Sequence, residues 1–443
     1  MEYGQSFETG RQSFCSYESG RSELNVASEQ RCGLEKSKTM GKKVCFFGHF
    51  GTDNLGNEST LQAVLYHLWR RLPDAEVSCV CSVPETLAST QGLKTIAISK
   101  MIVRPWNTRS PVAKLLRKVF IGIPSELYRW LDAYRTLRGT DVFIIPGTGL
   151  LTDAYGLSRW GPYNLFKWSA LAKLRRCKLL FVSVGAGPLY SVFGRYLVKS
   201  ALALADFRSY RDNSSRECVR RIKLRADNDQ VYPDLAFSLP VAGIPRDEGR
   251  RASRCVVGLG LMEYAERYSI DRPSRATYLQ YLESLVAFVK WLLAHECEIK
   301  LLIGDRGDRP VVREFNALLT TRLGMYDRER ITEPPLFSVE QLLSQLAVTD
   351  IVVATRFHNV LLALLLNKPT ISISFHHKCV SLMSEMGLLE YSHDINQIDA
   401  AKLIEQFQSL ERNAETLKPL ISQKVEQFRK ALDEQYSLIL KSV

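Results

Sequence analysis

Asp350-Ile351-Val352-Val353-Ala354-Thr355-Arg356-Phe357-His358-Asn359, followed by an apolar run over residues 360–366, decides how this chain folds. The short apolar run before Thr355 reads as a buried strand, and the longer one after Asn359 as the helix that follows it. Thr355 is the expected N-cap, which puts Arg356 and His358 in the first helical turn. A guanidinium and an imidazole then sit beside backbone N–H groups at the positive end of a helix dipole. That pattern suits a small anion with several oxygens. The alternative is an arginine that bonds a neighbouring carbonyl and a histidine that fills a gap.

The same strand-then-helix pattern repeats on both sides of this stretch. Residues 44–48 read as a strand and 55–72 as an amphipathic helix. Further strands are expected at 77–83, 141–146, 178–185, 207–210 and 230–232, with a helix over 191–204. A second set begins near Arg254, with strands at 255–261, 298–304, 350–354 and 369–374 and a long helix over 275–295. Alternation of this kind predicts an α/β fold of parallel sheets covered by helices on both faces. At 443 residues the chain exceeds one ordinary core, so two domains are expected, 41–245 and 250–400, joined by a linker over 241–250. Residues 401–443 are expected to form C-terminal helices. Residues 1–40 are rich in Ser, Glu and Gly and read as a disordered tail. Met40-Gly41-Lys42-Lys43 directly precedes the first strand, which makes Met40 a candidate start and the tail dispensable. Two α/β domains leave a cleft between the carboxyl ends of their strands, where such folds bind ligands.

Composition narrows the class. The hydrophobic fraction of 46% and charged fraction of 24% are those of a soluble globular protein. No apolar stretch is long enough to cross a bilayer, and the first forty residues hold no signal-peptide core, so a cytoplasmic protein is expected. Ten scattered cysteines without a C-x-x-C pair read as reduced, buried thiols. Seven histidines show no metal-binding spacing; His376 and His377 are merely adjacent. A net charge of +12 points to acidic partners. In the absence of a nucleic-acid motif, phosphate or an anionic membrane is preferred to nucleic acid.

Gly-rich turns follow three of the expected strands. They are Gly48-His49-Phe50-Gly51-Thr52-Asp53-Asn54-Leu55-Gly56-Asn57-Glu58, Pro146-Gly147-Thr148-Gly149-Leu150-Leu151-Thr152-Asp153 and Ser183-Val184-Gly185-Ala186-Gly187-Pro188. None is a dinucleotide fingerprint or a P-loop. Their shared placement at strand ends favours function over three unrelated turns. Tyr210-Arg211-Asp212-Asn213-Ser214-Ser215, Tyr232-Pro233-Asp234-Leu235-Ala236-Phe237, the Arg356–His358 turn and Ser374-Phe375-His376-His377-Lys378 come after them. In this order the motifs resemble the polysaccharide pyruvyl transferase family over about residues 44–389. The chain departs from the family at Asn57, where Asp is usual, at Pro146 and Thr148, which interrupt a glycine run, and at Phe375, where Tyr is frequent. These departures bear on the acceptor more than on the fold.

The resemblance implies a GT-B-like pair of Rossmann-like domains, with the acceptor on the N-terminal side and the donor on the C-terminal side. It also implies a cytoplasmic transferase of exopolysaccharide or cell-wall glycan biosynthesis. Phosphoenolpyruvate would be the co-substrate, its pyruvyl group passing to sugar hydroxyls as a ketal; because the sequence shows no divalent-metal cluster, no metal or other cofactor is expected. Such a donor needs cations for its carboxylate and phosphate and an acid for its methylene carbon. His358 is the candidate acid. Arg211, Arg356 and Lys378 are the candidate donor-binding residues, with an ion pair to Asp212 or Asp234 as the alternative for Arg211. Asn54, Gly56, Glu58, Gly147, Gly149, Asp153 and Gly185 are candidates for acceptor contact or for building the loops, and capping is favoured for Glu58 and Asp153. A basic stretch with interleaved aromatics over 101–138 reads either as a contact with anionic membrane, suited to a lipid-linked glycan acceptor, or as ordinary solvated helix surface. Two other functions compete: a GT-B glycosyltransferase using a nucleotide sugar, and a non-catalytic glycan-biosynthesis protein of the same fold.

Overall fold

Two all-parallel sheets organise the chain. The first contains β1 (Lys43–Gly48), β2 (Glu76–Cys81), β3 (Lys94–Ala97), β4 (Val142–Pro146), β5 (Lys178–Val184), β6 (Phe207–Tyr210) and β7 (Gln230–Val231). Its order is β3-β2-β1-β4-β5-β6-β7. Its helices are α1 (Leu55–Arg71), α2 (Pro84–Gln91), α3 (Pro111–Arg117), α4 (Ile123–Thr136), α5 (Gly161–Leu174), α6 (Val192–Ala203) and α7 (Asn213–Arg221). The second sheet contains β8 (Val256–Leu261), β9 (Glu298–Ile303), β10 (Ile331–Thr332), β11 (Ile351–Ala354), β12 (Thr370–Ser374) and β13 (Ser392–Asp394), in the order β10-β9-β8-β11-β12-β13. With it come α8 (Arg275–Ala294), α9 (Arg309–Leu323), α10 (Val339–Ala347), α11 (Phe357–Leu365), α12 (His377–Glu385) and α13 (Ala400–Lys441). This computed structural model describes residues 41–100, 102, 110–153, 161–244, 254–263, 275–324 and 327–441. The expected tail over 1–40 with its start at Met40, linker residues 245–250, and positions 101 and 103–109 of the basic stretch lie outside them.

Parallel strands are covered on both faces, so they read as unbroken apolar runs. Val-Phe-Ile-Ile-Pro in β4 and Val-Val-Gly-Leu-Gly-Leu in β8 are buried at every position. The strand order reverses between β1 and β4 in one sheet and between β8 and β11 in the other. Ligands bind outside the carboxyl ends of strands at such reversals. The Gly-rich turns after β1 and β4 and the turn after β11 all fall there.

The turn after β1 also ties the two halves together. Asn54 and Asp305 form an antiparallel bridge, Leu55 N donates to Gly304 O at 3.1 Å, and Arg306 N donates to Asp53 O at 3.1 Å. The side chains of Arg306 and Asp53 form an ion pair beside them.

The C-terminal region corrects the expectation of several helices there. It is one helix of 42 residues, α13, and it packs on both halves. Early in the helix, Phe407 meets Phe288 of α8 edge-on, with ring centroids 5.5 Å apart. Late in it, Arg429 donates to the carbonyls of Phe237 and Leu239 at 3.1 and 2.9 Å. Buried Gln435 exchanges hydrogen bonds with Ser183 and Ser209 at 3.1 and 2.7 Å. The helix therefore straps the second half to the first. Among the described cysteines all are free thiols. No helix of the described residues is long and apolar enough to cross a membrane.

Candidate active site

The turn after β11 differs in detail from the expected one. Thr355 is fully buried, and its hydroxyl pairs with Tyr281 Oη at 3.0 Å, so it does not cap α11. Arg356 occupies the N-cap position with extended backbone (φ −76°, ψ 132°) and no side-chain cap. The Arg356 guanidinium grips buried Asp308 in a fork, Nε to Oδ2 at 2.7 Å and Nη2 to Oδ1 at 2.6 Å. Asp308 also accepts from Glu263 N at 2.9 Å. Part of the arginine's five-donor fork is therefore spent on a carboxylate that sequence reading did not identify.

Arg211 lies just past β6 and is 6% exposed. Its Nη1 donates to Asp234 Oδ2 at 3.0 Å, and Nε lies 3.6 Å from Asp212 Oδ2. Both expected ion pairs are thus present. They leave Nε and Nη2 buried without a hydrogen-bond partner. Each such donor costs about 1–3 kcal/mol, and more when charged, unless something accepts from it. The guanidinium carbon stands 4.9 Å from the Phe357 ring centroid, so Arg211 of the first half abuts α11 of the second.

Lys378 sits in the first turn of α12. Burial, reinforced by the Arg211 charge, pushes its ammonium down to about 8. His376 is the N-cap of that helix, its Nδ1 accepting from Lys378 N at 3.3 Å. Burial and the Lys378 charge push His376 down to about 3. Arg211, Lys378, Asp212, Asp234, Phe357 and Phe428 line a cavity of ≈ 20 Å³, room for about one water.

His358 is where these groups converge. Burial pushes its imidazole down to about 4; Asp234 opposes the shift, and Arg211, Lys378 and Arg356 reinforce it. In this state the ring is neutral, as a helix N-terminus among cations favours. Its Nε2 is out of solvent contact and has no partner. Its Nδ1 lies against the opposite half: a Cβ built on Gly56 would stand 1.9 Å from it. The next residue, Asn359, buries both ends of its amide unpaired, against Gly260 and Gly304.

The candidate loop residues separate into two groups. Gly56, Gly149 and Gly185 make room for His358, Lys378 and Arg211 of the site. An added Cβ would come within 3.2 Å of Lys378 Nζ at Gly149 and 2.7 Å of Arg211 Nη2 at Gly185. Gly147 packs instead against Leu235 and the Ser183 carbonyl. Asn54 caps α1 through Gly56 N and Asn57 N and reaches Asp305 across the cleft at 3.2 Å. Asp153 caps the next turn, accepting from Tyr190 N, Ser191 N and Ser191 Oγ at 2.7, 2.8 and 2.6 Å. Burial alone would raise its carboxyl, but these bonds hold it below the usual range. Glu58 accepts from Gly51 N at 2.6 Å, yet burial raises it to about 7. It is therefore a cap that can also exchange a proton near neutrality. Among the described residues no three His, Cys, Asp or Glu side chains converge to hold a metal.

Sequence reading missed Asp308, the carboxylate partner of Arg356, and Phe357, whose ring faces Arg211. It noted His376 only as a histidine beside another; its place in a strand-to-helix turn was the available signal.

Comparisons with known proteins bear on the family and the fold. The family model for polysaccharide pyruvyl transferase matches residues 54–377. The amylovoran biosynthesis protein AmsJ of Erwinia amylovora is 19% identical over 428 residues, covering 90% of this chain and 100% of that one. Among solved structures, UDP-GlcNAc 2-epimerase from Neisseria meningitidis bound to UDP-GlcNAc superposes with a TM-score of 0.55 at 12% identity, over 90% of this chain and 100% of that one. Anabaena Alr3699/HepE in complex with UDP-glucose gives 0.51 at 14% identity, over 90% and 100%. At such identities the structural likeness speaks for the GT-B fold alone.

Proposed function

The chain belongs to the polysaccharide pyruvyl transferase family, and from that premise we propose that it moves a pyruvyl group from phosphoenolpyruvate to hydroxyls of a polysaccharide or cell-wall glycan precursor, releasing phosphate and leaving a ketal. One observation carries this: the charges of Arg211, Lys378 and Arg356 all act on His358 at the carboxyl ends of the strands, and two nitrogens of buried Arg211 have no hydrogen-bond partner. A donor bearing both a carboxylate and a phosphate supplies such acceptors. Arg211 holds it through Nε and Nη2, Lys378 adds a point charge, and Arg356, oriented by Asp308, adds field at the head of α11. The ≈ 20 Å³ cavity beside Arg211 and Lys378 is smaller than the donor, and neither His358 nor Arg356 lines it, so the halves must part for the donor to enter and reach His358.

The charge of the donor favours the imidazolium form of His358. His358 then gives its proton to the terminal methylene carbon, which becomes the methyl group. The central carbon, now electrophilic, accepts the first acceptor hydroxyl, whose proton passes to a base. Glu58, with its raised carboxyl, suits that base. A second hydroxyl displaces the phosphate, and its proton leaves with the phosphate. Protonation supplies the activation, so no metal or organic cofactor is assigned. The reaction is cytoplasmic, and the acceptor includes a lipid-linked glycan met at an anionic membrane surface.

The test is phosphate release from phosphoenolpyruvate with a panel of glycan acceptors, in the wild type and His358→Ala. Loss of a general acid lowers the rate about 10²–10⁴-fold. Turnover of a nucleotide sugar in place of phosphoenolpyruvate would instead identify a glycosyltransferase.

A further inference from the structure

The helical region after β3 has a geometry that the cleft chemistry does not explain. α3, the π-helical stretch Lys118–Gly122 and α4 run on without a break, since the residues at both junctions are right-handed helical. Glu126 bonds Tyr163 Oη at 2.8 Å and Lys167 Nζ at 3.1 Å, which sets it level with the first turns of α5. A helix that follows a parallel strand starts at that strand's carboxyl end, so Glu126 marks the cleft end of the sheet. Residues 111–125 therefore project beyond it for ~22 Å at 1.5 Å per residue.

This overhang is not a solvated polar helix. Leu115, Leu116, Val119, Phe120, Ile123 and Leu127 recur at helical spacing and are exposed, Phe120 by 71%. Exposed Lys114 and Lys118 stand among them. A second apolar patch lies at the same end of the sheet, on the first turns of α6. Val192 is 81% exposed, Phe193 52% and Tyr196 65%. Helix α6 packs on α5, which packs on α4, so the two patches flank one helical layer. Exposed apolar surface on this scale marks an interaction site.

We propose that the overhanging helix and the start of α6 together form a two-point footprint for an anionic lipid surface, which holds the cleft mouth at the headgroup layer. This rests on the acceptor assignment above and specifies it: the acceptor is drawn from the membrane plane and not from solution. Lipid is favoured over a second copy by the mixture of apolar side chains with lysines. Apolar residues enter the acyl boundary while lysines pair with lipid phosphates.

The test is flotation of the full chain with phosphatidylcholine vesicles, with and without phosphatidylglycerol. The wild type binds only the anionic vesicles. Lys114→Glu/Lys118→Glu weakens that binding by roughly a thousandfold, as expected when two reversals remove four units of charge at about 1 kcal/mol each. Phe120→Glu and Phe193→Glu each reduce it, because both patches insert. All variants keep wild-type calorimetric binding of phosphoenolpyruvate, since these residues lie outside the donor site. Equal binding to neutral vesicles, no binding at all, or loss only in the Phe120 variant would overturn the footprint. So would a wild-type dimer that Phe120→Glu converts to monomer without any vesicle binding. Failure of phosphoenolpyruvate to bind any form would count against the donor assignment and leave the footprint standing.

Discussion

Replacing Gly56 by alanine tests the geometry of the cleft with one methyl group. The added Cβ would lie 1.9 Å from His358 Nδ1 and 2.3 Å from its Cγ, whereas ordinary contact begins at 3.4 Å. The imidazole, or the whole of α11, must withdraw by about 1.5 Å. The backbone does not suffer, because Gly56 sits in the first turn of α1, where alanine gains up to about 1 kcal/mol of helix propensity. A 1 Å misplacement of a catalytic group costs on the order of a hundredfold in rate, which is about 2.7 kcal/mol of transition-state stabilisation. Gly56→Ala is therefore expected to melt within a few degrees of the wild type and to lose roughly a hundredfold in kcat/KM for phosphate release. Gly92→Ala is the control. Gly92 sits at φ 63° with nothing within 4 Å, so that variant should lose stability and keep its activity. Wild-type kcat/KM in Gly56→Ala, with an unshifted His358 ring resonance, would refute the contact and the role built on it.

Three further outcomes follow from the same contacts. Asp308→Ala strands the Arg356 charge in a buried setting and should cost about 3–5 kcal/mol in denaturant unfolding; a loss below about 1 kcal/mol would contradict the tight fork. The His358 imidazole, held at about 4 by burial in the free protein, should titrate at a higher pH with phosphoenolpyruvate bound; NMR titration giving an unchanged or lower value would count against it as the acid. Lys378 carries its charge below its folded value of about 8, so donor affinity should fall as pH rises through that value, and Lys378→Met should flatten this limb; a wild type already flat across the window would remove Lys378 from the donor site.

The α/β class was legible because parallel strands need cover on both faces, which makes runs such as β4 and β11 uniformly apolar. The order of the glycine turns was equally readable, and Gly56, Gly149 and Gly185 prove to be openings for particular side chains. Long-range pairing was not readable. Thr355 has good capping chemistry, but its hydroxyl is committed to Tyr281, 74 positions away. Arg356 looked available as an anion ligand, but a carboxylate 48 positions earlier holds its fork. Edge strands β3, β10 and β13 span four, two and three residues, too few to carry a period. The apolar stripe of α13 is periodic, but which half each part of it meets is set by long-range partners such as Ser209 for Gln435, which helical periodicity does not encode.

Calorimetric titration of phosphoenolpyruvate into the wild type, Arg211→Ala and Arg356→Ala tests the central claim most directly. Saturable binding to the wild type is expected. Arg211→Ala should bind about 10–150-fold more weakly, the worth of a charged hydrogen bond of roughly 1.5–3 kcal/mol, and Arg356→Ala should weaken binding by a smaller factor, because Asp308 holds its fork and only its field reaches the donor. Absence of binding to the wild type, or equal affinity in all three proteins, would contradict a donor held by these guanidinium groups.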